Sequence, residues 1–247
     1  RPTTVVSPET RLMALEISER NWMRARMDEW TLVLAGQWNN RIFRPEWVVQ
    51  HLLPGKKIDA EVIVAPGENY FRLIADDLVL LPKLDRLIIG VKHGDDDVLK
   101  SAGMLADRII TLLCHTPIQG IGFNIGFEEE EPTPDLVGVF SVSDVGKLSQ
   151  FGATFTLTEI KRAFQFDDLP NCTVTMKQSF VNGVVRINFN YHHNATSAEM
   201  ARKYLENEFR FSVFRDKSLE LLQSVYNLST SMEHDNESGV LRSGSIG

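Results

Sequence analysis

The clearest pattern of apolar and polar positions lies in the second half of the chain. There Val174, Met176 and Phe180 alternate with Thr173, Thr175, Lys177 and Ser179. After Asn182 and Gly183, the residues Val185, Ile187, Phe189 and Tyr191 alternate with Arg186, Asn188, Asn190 and His192. A period of two is the mark of a strand with one face buried. Asn-Gly suits a two-residue type I′ turn, because both of its positions take a positive φ. The pattern predicts a hairpin in which Val181 faces Val184, Phe180 faces Val185, Met176 faces Phe189 and Val174 faces Tyr191. That face is core. The other face gathers Thr175, Lys177, Ser179, Arg186, Asn188 and Asn190, which is polar without being strongly charged.

Beyond the hairpin, Thr196 and Glu199 have the spacing of a capping box. A long helical region follows, with Met200, Tyr204, Phe211, Phe214, Leu221, Leu222 and Val225 on its apolar side and a break expected near 209–214. Residues 227–247 turn to Ser, Gly, Asn and charge and read as a tail, held by the body of the protein or by a neighbouring chain. The first half reads as a strand at 31–36, a helix at 45–53 begun by Pro45, and four strands around Ile58–Val64, Phe71–Leu73, 78–81 and 84–91. A helix with Val98, Ala102, Leu105, Ile109 and Leu112 follows Asp95, which is expected to cap it.

The second half gives the same order: a strand at 136–142, a short helix at 144–150 capped by Ser143, strands near Ala153 and Ile160, the hairpin and the long helix. Arg86 stands seven residues before His93, and Arg186 seven before His193. We therefore expect an α+β fold of two similar β-α-β-β-β-β-α units, with antiparallel sheets and helices on one face. The expected divisions are an N-terminal helical segment (1–29), a first repeat (30–127), an acidic linker (128–135), a second repeat (136–226) and the tail (227–247). A strand, helix, four-strand, helix unit present twice resembles the TATA-box-binding-protein fold, a saddle with a curved sheet beneath and helices on top. The resemblance rests on the order of elements, and it implies a sheet surface open to a partner.

Charge sharpens the linker but not the partner. The chain carries 26 basic and 33 acidic side chains, for a net charge of -7. Residues 1–127 hold 15 basic and 16 acidic groups, residues 136–247 hold 11 and 12, and 128–135 holds five acids and no base. Neither half has the basic surplus that neutralising a phosphate backbone needs. The run Glu128 to Asp135, with Pro132 and Pro134, disfavours helix and sheet and reads as a connector. No apolar run reaches the roughly 18 residues of a membrane span, and the stretch 1–20 has no signal-peptide core, so a cytoplasmic protein is expected. The Asn-X-Ser/Thr triplets at Asn171, Asn194, Asn227 and Asn236 are short enough to recur by chance.

The candidate chemistry is thin. His93, Asp95 and His115 are the nearest approach to a metal-dependent hydrolase site, in a spacing that fits no established ligand pattern. His192 and His193 are adjacent on a strand and face opposite sides. Cys114 and Cys172 are too few for a zinc site or a disulfide framework, and both are expected to be buried thiols. The glycines Gly120, Gly122 and Gly126 miss the dinucleotide-loop spacing and read as the thin face of a strand, open to a ligand, another backbone or a packed helix. No nucleophile elbow or phosphate loop is present. We expect no catalytic residue, cofactor or metal, and a protein-interaction or scaffold role, with self-assembly as one form of it. The expected interaction residues are Lys177, Arg186, Asn188 and Asn190, with Trp22 as an exposed anchor. Nucleic-acid binding through the polar sheet face is the alternative, and a metal-dependent hydrolase the second alternative.

Overall fold

The computed structural model describes residues 22–65, 68–139, 144–152, 156–207 and 210–231. In the second half the Asn-Gly turn sets the geometry: Asn182 and Gly183 hold φ of 52° and 85°. They join β9 (Thr173–Val181) to β10 (Val184–Asn194). The register is the expected one, with Phe180 opposite Val185, Met176 opposite Phe189 and Val174 opposite Tyr191.

The chain order begins with β1 (Trp22–Ala25), β2 (Thr31–Gly36) and α1 (Pro45–His51). The first half continues through β3 (Asp59–Ala65), β4 (Glu68–Ala75), β5 (Leu78–Pro82), β6 (Arg86–Val91) and α2 (Asp96–Leu112). The central β7 (Ile118–Glu129) leads to α3 (Pro134–Val139), α4 (Val145–Gln150) and β8 (Leu157–Phe164). After the hairpin come α5 (Ala198–Leu205), α6 (Arg210–Tyr226) and β11 (Ser229–Ser231). The protein is thus of the α+β class. Its sheet runs β3-β4-β5-β6-β2-β7-β10-β9-β8, with every neighbour in that path antiparallel. The strand β1 pairs with the end of β7, and β11 lies parallel to β1.

Alternation gives each central strand one apolar face. Leu32 and Leu34, Leu87 and Ile89, Ile121 through Phe127 and Ile187 through Tyr191 contribute buried side chains at every second position. The helices α2, α5 and α6 pack on this face. Phe123 meets Phe211 and Phe214 edge-on at 5.4 and 4.9 Å, and Tyr191 stacks on Phe214 at 4.4 Å. Fully burying one such ring stabilises the fold by about 1.5–3 kcal/mol. Tyr191 gives its hydroxyl a partner in Ser218 at 2.9 Å, and burial raises its pKa.

Several expectations are corrected. The segment that ends at residue 29 was expected to be helical, but Trp22–Ala25 is a strand, because Met23 inserts into the core and the chain pairs with β7 and β11. The strand expected at 136–142, of which 140–142 lie outside the described residues, is instead helical as far as Val139, in α3. Pro134 presets its first turn, and the Thr133 hydroxyl accepts a bond from the Leu136 amide at 3.3 Å. The acidic connector is shorter than 128–135, since Glu128 and Glu129 belong to β7.

The cap of α5 is Ser197, whose hydroxyl accepts from the Met200 amide at 3.1 Å, one residue later than the expected Thr196. The helical region is interrupted between Leu205 and Arg210, at the N-terminal edge of the stretch where a break was expected. Asp95 occupies the N-cap position of α2 without a side-chain cap bond. In the tail, Ser229–Ser231 is held by β1. The expected strand near Ala153 and the Ser143 cap lie outside the described residues, as do 1–21 and 232–247. No helix among the described residues is long and apolar enough to cross a membrane.

Candidate functional site: the polar face of the sheet

The face opposite the helices is built from the alternate residues of the same strands. Across its centre Thr31 of β2, Asn124 of β7, Asn190 of β10 and Thr175 of β9 stand in one row. Asn190 Nδ2 donates to Asn124 Oδ1 at 2.6 Å, and Asn124 Nδ2 donates to Thr31 Oγ1 at 2.9 Å. The amides thus bond to each other across the strands. In the next row Gly126 faces Asn188, which faces Lys177. The Asn188 Oδ1 atom is buried without a hydrogen-bond partner.

The glycine face of β7 is filled by its neighbours. A Cβ at Gly126 would sit 2.7 Å from Glu29 Cβ and 2.8 Å from Asn188 Oδ1, one at Gly120 would sit 2.8 Å from the His192 ring, and one at Gly122 would sit 3.2 Å from Asn190 Nδ2. The room left by the missing side chains is taken by polar groups of β10 and the turn before β2.

On the hairpin and beside β1 the cations of this face are paired. Lys177 Nζ lies 2.8 Å from Glu159. Glu128, at 12% side-chain exposure, takes Arg24 at 2.8 Å and both Arg26 and Arg186 at 3.3 Å. The first acid of the expected connector is therefore the centre of an ion-pair cluster that ties β1, β7 and β10 together. Toward the first half the same face becomes apolar. Val33 stands opposite Ile88, Ile88 opposite Leu81, and Val79 opposite Ile74, all half-buried.

The structure brings Lys177, Arg186, Asn188 and Asn190 together on adjacent strands. Trp22 shares the face of Arg24 by alternation and is 43% exposed. Sequence reasoning missed Thr31 and the apolar row through Val33 and Ile88. Short alternation in β2 was the available signal, but nothing local told which face of that strand was uncovered.

The other candidates do not assemble. His93 and His115 flank the two ends of α2, whose 17 residues separate them by about 25 Å. His93 pairs with Asp77 at 3.2 Å, and Asp96 with Arg215 at 2.8 Å. The Ser212 hydroxyl and the Arg215 guanidinium beside it hold the Asp96 carboxyl below its usual range. Among the described residues no three His, Cys, Asp or Glu side chains gather as a metal cluster. Cys114 is exposed, against expectation, because it falls in the turn after α2, whereas Cys172 is buried and its thiol is pushed up to about 11 by burial.

A comparison of the chain with protein-family models finds no match, and none is found among curated proteins.

Proposed function

We propose that the protein is a non-catalytic binding or scaffold protein of the cytoplasm, whose sheet face, left uncovered by the described residues, engages another protein or a second copy of the chain. The observation that carries this reading is the pairing of the two cations that the hairpin presents on this face. Lys177 is held by Glu159, and Arg186 by Glu128. A nucleic-acid surface gains its affinity from cations free to neutralise phosphates. A protein interface instead favours an apolar centre with a satisfied polar rim. Val33, Ile88, Leu81 and Val79 supply the first, and the Asn190-Asn124-Thr31 row the second. Trp22 adds an exposed aromatic at the β1 end.

We also propose that the two halves are copies of one unit, beginning at β2 and, in place of the expected start at 136 where a helix stands, at β7. In support, β2 and β7 lie side by side at the centre of the sheet, and each is followed by a short helix. In each half the last strand before the long helical region, β6 or β10, returns to flank that first strand. This order favours the resemblance to the saddle fold, with three described strands between β7 and the long helical region where the first half has four between β2 and its long helix.

The test uses Ile88→Asp, which puts a charge in the apolar row. Wild-type and variant chains are compared for bound protein recovered from the native lysate and for mass by light scattering. A specific protein, or a dimer, present with the wild type and lost in the variant supports the reading. A monomer that retains no protein, or one that binds duplex or single-stranded nucleic acid at low salt, overturns it.

A further inference from the structure

On the helix side of the sheet, a cleft of about 440 Å³ lies between the loop before β9, α5 and the first turn of α6. Such a volume falls in the range of small-molecule sites, about 300–1,000 Å³. Its walls include Asn171, Lys203, Tyr204, Arg210 and Phe214. The cations on the wall are open. Arg210 Nε is buried with no hydrogen-bond partner. Neither Arg210 nor Lys203 has a carboxylate at ion-pair distance among the described residues, whereas Asp168, the acid on the wall, is paired with Lys217 at 3.2 Å.

A third open atom adjoins the same wall. His193 is 1% exposed, its ring stacks on Tyr204 at 4.3 Å, and its Nδ1 lies 3.0 Å from the Asn171 carbonyl oxygen. A carbonyl only accepts, so Nδ1 carries the proton. Burial, with Arg210 and His192 acting the same way, lowers the imidazole pKa to about 4, although the bond to Asn171 opposes it. The ring is therefore neutral near pH 7, and Nε2 is a bare lone pair without a partner. Buried polar groups left open cost free energy unless something answers them. The first turn of α6 adds the positive end of a 17-residue helix.

We propose that this cleft binds a small molecule bearing a phosphate or carboxylate, held by Arg210 and Lys203 at the start of α6. The cleft lies on the opposite side of the sheet from the proposed docking face, so the two readings stand or fall separately.

The test is calorimetric titration of the full chain at pH 7 with inorganic phosphate and with glycerol 3-phosphate. Arg210→Gln and Lys203→Gln are compared with Lys161→Gln, which removes an exposed cation of β8 that stands opposite Lys177, on the other face of the sheet from the cleft. Saturable binding of either probe, weakened about tenfold or more by each cleft variant, is expected, since a hydrogen bond to a charged group is worth roughly that factor or more. Lys161→Gln leaves it unchanged. The proposal is overturned if neither probe binds saturably, if Lys203→Gln binds as the wild type does, or if Lys161→Gln loses as much. Lys203 is exposed, so its substitution tests the site without threatening the fold.

Discussion

Adding one methyl group at each of four sheet glycines should shift the stability of the protein in a fixed order, from the largest loss to a small gain. At Gly36 a Cβ would sit 2.4 Å from the Pro117 carbonyl oxygen and 3.2 Å from Ile118 Cα. Both are main-chain atoms, and the strand is pinned there by Gly36 N to Asp85 O and Gln37 N to Pro117 O, each 2.9 Å. Neither side yields without moving a strand, so Gly36→Ala should cost about 2–3 kcal/mol. Gly126→Ala meets Glu29 Cβ at 2.7 Å, close to the backbone of a turn that Arg26 braces, and should cost about 1–3 kcal/mol. Gly122→Ala meets only the Asn190 amide at 3.2 Å, and that group can rotate at the expense of its bond to Asn124, a loss of about 1 kcal/mol. Gly90→Ala meets Val79 Cβ at 3.6 Å, an ordinary contact, and should gain about 0.4–1 kcal/mol through the unfolded chain. Urea unfolding midpoints at constant m-value measure the series. In a chain of this size each kcal/mol is worth about 2–4 °C in Tm. A Gly36→Ala protein with the wild-type midpoint, or a Gly90→Ala loss equal to it, would refute the reasoning.

Two further outcomes are expected. Gly183→Val should destabilise by about 1–2 kcal/mol, because φ at that turn position is +85°, and Asn182→Gly should be nearly neutral; urea midpoints of the two variants check this. His193 titrates near pH 4 in the folded protein and 6.5 in the unfolded chain, so the unfolded state takes up its proton first. Its contribution is complete above pH 6.5 and is lost as pH falls toward 4, by up to about 1.4 kcal/mol per pH unit. His193→Gln should flatten the pH dependence of the urea midpoint in that window, and an identical slope in the variant would rule out the buried neutral imidazole.

Features decided within a few residues were legible in the sequence. The Asn182-Gly183 hairpin needs only turn chemistry and alternation, and β2 through α2 follow from apolar periods bounded by Pro45, Gly55 and Asp95. Features decided across the chain were not. Trp22–Ala25 is a strand because residues some 100 and 200 positions away offer it β7 and β11 as partners. Alternation alone favoured a strand from Leu136, yet Thr133 and Pro134 begin a helix that buries Leu136. The acidic run looked uniform, but Arg24, Arg26 and Arg186 converge on Glu128 and make it part of β7.

The same distinction changes the weight of the interaction residues. The hairpin pattern named Asn188 and Asn190 as equals, since both point from β10 to one face. Their neighbours separate them. Asn190 spends an amide proton on Asn124, which spends one on Thr31, so this row works first as a ladder within the sheet. Asn188 keeps an oxygen without a partner, over a glycine that Glu29 already crowds. Lys177 and Arg186 are likewise engaged by Glu159 and Glu128, and a partner approaching them must compete with those carboxylates. Breaking such contacts returns little net free energy, whereas covering half-buried Val33, Ile88 and Leu81 removes apolar surface from water at about 25 cal/mol per Å². The energetic centre of a complex on this face therefore belongs on β2, β6 and β5, with the polar hairpin setting orientation.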